Sequence, residues 1–235
     1  MQFCIVGGKQ QGKNLVVPKD STFALYECLK RNWKVVALIA VKPKNTEAYL
    51  WHYATVEWTI LSSAALGIPL FLIKSEKISE KEEAKEIEKV LDRITIDALV
   101  LGGVGLQKTQ IKAIEGIAKK RGIKVIVPHQ GKDHYELFKE AIEKGFEIVI
   151  TQVASEGLGP EWLGRKIGLK ELEELKRLSE TYGFHIGFEG GYADTFVING
   201  PIFKKKIEFV DTKKVWDVKT NSGYLEVKEA RLVEK

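Results

Sequence analysis

The sequence predicts an α/β protein: a doubly wound, mostly parallel sheet followed by a smaller C-terminal α+β domain. Two observations carry this. The first is an amphipathic helix, a glycine and a short apolar strand, recurring in that order from His52 to Phe188. The strands in the first half are largely apolar, as in Ile123-Lys124-Val125-Ile126-Val127, which suits a parallel sheet covered on both faces. The second is a change of texture: from about Lys206 the pattern turns β-rich.

In chain order, strands are expected near 2–6 and 33–41. A helix His52–Leu66 follows, closed by Gly67 before the strand Ile68–Ile73. Ser79-Glu80-Lys81-Glu82 reads as a capping box opening a helix to about Ile94, ahead of the strand Asp97–Leu101. Lys108–Arg121, Gly122 and Ile123–Val127 repeat the unit, as do Asp133–Lys144, Gly145 and Phe146–Val153. Leu169–Tyr182, Gly183 and Phe184–Phe188 repeat it again. Glycine suits the left-handed position just past a helix end, where a Cβ is costly. The tail reads as strands Ile207–Val210, Val215–Lys219 and Tyr224–Leu232, with Asn221-Ser222-Gly223 as a turn. A domain boundary is placed near Pro128–Gly131, giving domains 1–128 and 129–235.

The 44% hydrophobic and 29% charged residues are those of a soluble globular protein. No apolar run approaches the roughly 20 residues needed to cross a bilayer, and Met1-Gln2-Phe3-Cys4 lacks a signal peptide's basic start, so a cytoplasmic protein with no membrane partner is expected. Cys4 and Cys28 have neither disulfide nor metal-ligand spacing and read as inert buried thiols. The net charge of +5 comes partly from Lys119-Lys120-Arg121 and Lys204-Lys205-Lys206, which lack interleaved aromatics; they read as solvated faces, and a nucleic-acid partner is not expected. The Lys/Glu richness and single Met suit a thermophile.

Ligands of α/β sheets bind beyond the carboxyl ends of the strands, and phosphate wants close backbone approach, N–H donors and a helix N-terminus. Two stretches compete for that role. Cys4-Ile5-Val6-Gly7-Gly8-Lys9-Gln10-Gln11 keeps a glycine pair and a lysine directly after a strand. Val16-Val17-Pro18-Lys19-Asp20-Ser21 keeps Lys, Asp and Ser, but Val17 resists glycine's conformations and Pro18 has no N–H. Gly7-x4-Gly12-Lys13-Asn14 nearly spells a Walker A loop, yet Asn14 replaces Ser/Thr and Leu15-Val16-Val17-Pro18 is a poor helix start. The plainer reading of 7–21 is a glycine-rich turn with Asp20 or Ser21 as a helix N-cap.

The second half carries Trp162-Leu163-Gly164-Arg165, then Glu189-Gly190-Gly191-Tyr192-Ala193-Asp194-Thr195-Phe196, then Pro201-Ile202-Phe203. A Gly-Gly flanked by carboxylates suits a cationic or amine-bearing ligand; the plainer reading is a turn, with Glu189 paired to Arg165. These motifs resemble the C-terminal signature of the diphthine–ammonia ligase family, the N-type ATP pyrophosphatases, whose fold is adenine nucleotide alpha-hydrolase-like. Ala64-Ala65-Leu66-Gly67-Ile68-Pro69-Leu70 is similar to another family stretch, and Tyr49-Leu50-Trp51-His52 to one carrying a histidine.

Against the family's pyrophosphate loop Ser-Gly-Gly-Lys-Asp-Ser, the first register puts Val6, Gln10 and Gln11 at the Ser, Asp and last Ser. The second register loses both glycines. In the segment after the fourth strand, Gln107 and Thr109 stand for Ser and Tyr, Gln110 is kept, and Ile111 replaces a basic residue. Tyr192 replaces an acidic residue of the Glu-Gly-Gly motif, while Asp194 keeps the charge of another.

The resemblance implies an ATP- and Mg²⁺-dependent amidation, the last step of diphthamide synthesis on translation elongation factor 2. A carboxylate is adenylated, pyrophosphate leaves, and ammonia displaces AMP. On this sequence it implies catalytic roles for Lys19, Asp20 and Glu189, with Asp20 on the metal. It implies nucleotide binding by Gly7, Gly8, Lys9, Ser21 and Gln110, and substrate binding by Trp162, Gly164, Arg165, Gly190, Gly191, Asp194 and Thr195. Elongation factor 2 and ammonia are the implied partners, and a homodimer stays open. The eroded motifs leave a second reading, a paralogue that binds a ligand or protein without turning over ATP. tRNA thiolation, another pyrophosphate-loop activity, is disfavoured by the two structural cysteines.

Overall fold

The computed structural model describes residues 2–6, 19–43, 58–75, 80–102 and 108–235. The chain divides into two compact units, Met1–Gly131 and Lys132–Lys235. Among the described residues no helix is long and apolar enough to cross a membrane.

The first unit runs β1 (Gln2–Val6), α1 (Lys19–Lys30), β2 (Val35–Pro43), α2 (Thr59–Leu66), β3 (Leu70–Ser75), α3 (Glu80–Leu91), β4 (Ala98–Leu101), α4 (Lys108–Lys119) and β5 (Lys124–Ile126). Its five-stranded sheet has the order β3-β2-β1-β4-β5. β2 pairs β3 in parallel and β4 pairs β5 in parallel, while β1 is antiparallel to both β2 and β4. Four strands thus share one direction, the mostly parallel sheet expected, and β1 alone is reversed. It starts with Gln2 beside Ala40 and Phe3 beside Leu101, and it ends with Val6 beside Val35 and Ala98. The carboxyl end of β1 therefore lies at the edge where β2 and β4 begin, which the sequence did not foretell.

Burial explains the unbroken apolar strands. Val36 through Ala40 and Leu99 through Leu101 are all essentially inaccessible, as helices on both faces require. α3 and α4 place Ile87, Val90 and Leu91, and Ile111, Ile114 and Ile117, into the same core cluster as Val36, Ile39 and Leu99. Arg121 braces this pair of helices, its Nε 2.9 Å from Asp92 and its Nη1 2.9 Å from Glu88. Gly67 closes α2 at φ 68°, the left-handed cap its position predicts. Tyr49–His52, the capping residue Ser79 and Gln107 lie outside the described residues.

The second unit runs α5 (His134–Glu143), β6 (Glu147–Val153), β7 (Lys166–Ile167), α6 (Leu169–Tyr182), β8 (Ala193–Asn199), β9 (Lys206–Asp217) and β10 (Ser222–Val233). β6 is the hub: it pairs antiparallel with β7, β8 and the start of β10. Asp133 caps α5, its carboxylate accepting from the Glu136 N–H at 2.9 Å. At the start of β6, Glu147 accepts from Asn199 Nδ2 at 2.9 Å, Lys166 Nζ at 2.6 Å and Lys206 Nζ at 3.0 Å, tying β6, β8, β7 and β9 together.

Three sequence expectations change here. Phe184–Phe188 is a turn and not a strand: Phe188 sits at φ 64°, and both rings are buried, Phe188 packing on Phe138 and on Phe184. Their apolar character anchors a loop instead of pairing in a sheet. Ile207–Val210 and Val215–Lys219 are one strand, β9, whose exposed middle Asp211–Lys214 carries no apolar alternation. The turn between the last strands falls at 218–221, with Asn221 at φ 46°, and Ser222 and Gly223 already pair with Asp217 and Trp216.

Candidate functional site

Lys19, Asp20 and Ser21 form the first turn of α1, so Asp20 and Ser21 lie inside the helix and neither is its N-cap. That turn presses on the carboxyl end of β4. A Cβ on Gly102, the residue after β4, would lie 2.3 Å from the Ser21 Cα and 2.3 Å from its Oγ. Only glycine lets the two backbones approach this closely. The position beyond the carboxyl ends of parallel strands is where α/β sheets take their ligands.

The turn is electrostatically unusual. The Lys19 side chain is only 5% exposed, and its ammonium lies 2.8 Å from Asp20 Oδ2. A buried cation at a helix N-terminus opposes the helix dipole, and it persists because Asp20 neutralises it. The first-turn N–H groups have no intrahelical acceptor, which suits an anion. Thr22, one residue on, is 1% exposed, and its hydroxyl has no hydrogen-bond partner among the described residues. Phe23 then stacks on His129, with centroids 5.3 Å apart and planes 11° from parallel. His129 follows β5 and is fully buried. The sequence did not single out His129, and Gly102 stood only as part of the stretch Leu101–Gln110 that resembles a family segment on the nucleotide side. A glycine directly after an apolar strand was the available signal for Gly102, and the Pro128-His129 turn for His129.

Gly7, Gly8 and Lys9 lie outside the described residues. They follow β1, which ends at the sheet edge opposite the one where Ser21 meets Gly102. Gln110 falls in the first turn of α4, the helix that follows β4.

In the second unit, Gly164, Arg165 and Thr195 converge on Ile150 of β6. Its carbonyl accepts from the Gly164 N–H at 2.8 Å, and its N–H donates to the Arg165 carbonyl at 3.2 Å. From the other side of β6, Thr195 is its cross-strand partner. Trp162 is 1% exposed, and the Arg165 guanidinium lies 4.2 Å above its ring. The same guanidinium reaches Glu174 at 2.7 Å and Glu171 at 3.4 Å. These α6 carboxylates hold it in the place the sequence reading gave to Glu189.

The bond to Glu174 raises the Arg165 pKa beyond its already high ordinary value. Burial pushes the Glu171 carboxyl up, but bonds from the backbone N–H groups of Gly168 and Glu171 and from Arg165 outweigh it, leaving it below the usual carboxylate range. Glu171 and Glu174, one helical turn apart on α6, are positioning residues that belong to none of the sequence motifs. Nothing in their local spacing sets them apart from the other glutamates of that helix.

The Glu189-Gly190-Gly191 segment is a tight, irregular loop. Phe188, Gly190 and Gly191 take φ of 64°, 99° and 87°, and a non-glycine residue in that region costs energy that the buried Phe188 ring offsets. The Ala154 N–H donates to the Tyr192 carbonyl at 2.8 Å, continuing the β6–β8 ladder up to the loop. Tyr192 lies against Gly190 and tilts over Phe184, with ring centroids 6.4 Å apart. Where the family pattern has a carboxylate, this loop has an aromatic lid on its own glycine. Among the described residues no group of three metal-binding side chains occurs.

Comparison with known proteins fits this division. Residues 15–125 match the diphthamide synthase N-terminal domain and residues 133–233 the diphthamide synthase C-terminal domain. The chain is 27% identical over 218 residues to the diphthine–ammonia ligase of Danio rerio, covering 84% of this chain and 85% of that protein. It is 25% identical over 219 residues to the human diphthine–ammonia ligase, covering 84% and 81%. A solved structure, a predicted subunit of tRNA methyltransferase from Methanocaldococcus jannaschii, superposes with a TM-score of 0.40 at 14% identity, over 83% of this chain and 98% of that one. Carrying both characteristic domains in order, with the Trp162–Arg165 and Glu189–Thr195 motifs converging on one strand, the chain belongs to the diphthamide synthase family.

Proposed function

We propose that this protein is an ATP-dependent amide ligase of the diphthine–ammonia ligase type, acting on a carboxylate of translation elongation factor 2 with ammonia. The observation that carries this is the first turn of α1, where the buried Lys19–Asp20 pair and Ser21 meet Gly102 at the carboxyl end of β4. A second support is the family match, which begins at residue 15, after Gly7-Gly8-Lys9 and before Lys19.

The donor set suits a nucleotide polyphosphate: an ammonium, helix N–H groups, and a hydroxyl beside a backbone that admits no Cβ. When bound, ATP supplies the adenylyl group that activates the carboxylate, and Mg²⁺ screens the charge on the departing pyrophosphate. Lys19 would hold the pyrophosphate oxygens, Asp20 the metal and Ser21 a phosphate oxygen, with Gln110 on the nucleotide side. On the acceptor side, Glu189 and Asp194 would receive a cationic group, and Gly190 and Gly191 would let the ligand approach the backbone. Trp162, Gly164, Arg165 and Thr195 would hold that loop and its strand in place. No covalent nucleophile is needed.

A second reading, a paralogue that binds without ATP turnover, is favoured by one observation: β1 ends at the edge away from the Ser21–Gly102 contact. Calorimetric titration with ATP and Mg²⁺, with AMP as comparison, separates the two. Micromolar ATP binding, followed by AMP release with elongation factor 2 and ammonia, is the ligase outcome. No binding at millimolar ATP removes it.

A further inference from the structure

Three connections of the second unit meet at one end of its sheet. β6 ends with Val153, which pairs with Ala193 at the start of β8 and with Gly223 at the start of β10. The segment 154–161 leaving β6, the Glu189-Gly190-Gly191 loop entering β8 and the 218–221 turn entering β10 therefore lie at the same edge. The first two touch directly, through the Ala154 N–H on the Tyr192 carbonyl.

The hairpin of β9 and β10 reaches over to the first. Asn221, 66 positions further along the chain, donates from its side-chain amide to the Ser155 carbonyl at 3.2 Å. Lys214 of β9 donates to the Pro160 carbonyl at 2.9 Å. Each of these carbonyls also accepts a turn bond from its own segment, at 3.3 Å from the Leu158 N–H and at 3.3 Å from the Leu163 N–H. The hairpin thus fastens 155–160 at both ends. Tyr182, the last residue of α6, packs on it between them: a Cβ on Gly157 would fall 2.2 Å from the Tyr182 ring.

Asn221 suits this task. Its φ of 46° is one that asparagine tolerates better than most residues. The Asp217 carboxylate accepts from the Lys219 N–H at 2.8 Å, and the Thr220 and Ser222 hydroxyls lie 2.8 Å apart. These bonds shape the turn from within, while the Asn221 amide bonds outside it. Its partner Ser155 is the residue after Ala154, so one bond separates the hairpin from the contact that borders the Glu189-Gly190-Gly191 loop.

We propose that Asn221 is a positioning residue for the acceptor site. Its bond to Ser155 fixes the segment after β6, and the Ala154–Tyr192 contact passes that constraint to the Glu189-Gly190-Gly191 loop. This rests on the reading that the Glu189–Thr195 segment binds the acceptor. Lys214 secures the far end of the same segment.

The test compares the full chain with Asn221→Gly, which removes the amide and keeps the left-handed backbone accessible. Native-state hydrogen exchange should quicken roughly fivefold at Ala154 and Leu158. It should stay unchanged at Ile150, whose N–H bonds the Arg165 carbonyl. Affinity for unamidated elongation factor 2 should fall by a similar factor, roughly fivefold, while calorimetry with ATP gives the parent's result. Asn221→Asp, which sets a carboxylate against the Ser155 carbonyl, should match Asn221→Gly in both measurements. Unchanged exchange at Ala154 and Leu158 would overturn the proposal, as would exchange that quickens equally at Ile150. The parent's own affinity for elongation factor 2 is measured first. Its absence refutes the acceptor reading and the proposal with it, whereas parent-like binding by Asn221→Gly refutes the positioning role alone.

Discussion

Gly102 and Ser21 meet backbone to backbone: a Cβ on Gly102 would fall 2.3 Å from the Ser21 Cα. This contact seats the first turn of α1 on the end of β4. Gly102→Ala should push that turn away, costing about 1–3 kcal/mol of stability by overpacking. It should also weaken ATP binding at least tenfold. Thermal unfolding and calorimetry on the same variant measure the two effects, and a stable variant that binds ATP like the parent would detach the contact from the nucleotide.

Lys19 is the buried cation of that turn. Lys19→Ala is expected to abolish ATP affinity, while Lys9→Ala should be nearly silent. The opposite pattern in the same titration would move the phosphate cradle to Gly7-Gly8.

Arg165 bridges the Trp162 face and the α6 carboxylates Glu171 and Glu174. Its side chain is 30% exposed, so solvent screens the ion pairs and the ring contact carries much of the effect. Arg165→Ala should destabilise the protein by about 1–2 kcal/mol. Lysine cannot stack as guanidinium does or span two carboxylates, so Arg165→Lys should recover only part of the loss in chemical denaturation.

Glu147 gives the second unit an acid sensitivity. Burial raises its pKa, but the bonds from Asn199, Lys166 and Lys206 win and lower it from 4.5 to about 2. A depressed folded-state pKa contributes stability that is fully present above the unfolded value and is lost as pH falls from there to about 2. The contribution is on the order of 2–3 kcal/mol near neutrality. Glu147→Gln should lower stability at pH 7 and flatten the dependence between about pH 5 and 2, as read by denaturant titration at each pH. A variant whose pH profile parallels the parent's would show that the network contributes little.

Much of the architecture was legible because the signals were local. The apolar run Leu99–Leu101 needs helices on both sides of its sheet, and Gly67 and Gly183 sit at left-handed helix ends, with φ of 68° and 75°. Phe184–Phe188 misled because burial alone does not distinguish a strand from a loop anchored by rings. The motif Trp162–Arg165 was visible as a string, yet its geometry was not. The residues that hold Arg165 lie on a helix of otherwise ordinary glutamates, and charge patterning on a helix says little about which side chain faces which loop.

The α/β first half, the β-rich tail and the family were legible in the residues alone, because periodicity, glycine caps and contiguous motifs are properties of neighbouring residues. The direction of β1, the seating of Lys19-Asp20-Ser21 against Gly102, and the convergence of Gly164, Arg165 and Thr195 on Ile150 emerge only from the folded chain. Those depend on which strands pair and in what register. That choice is made by burial and hydrogen bonding among residues far apart in the chain, and no local pattern encodes it.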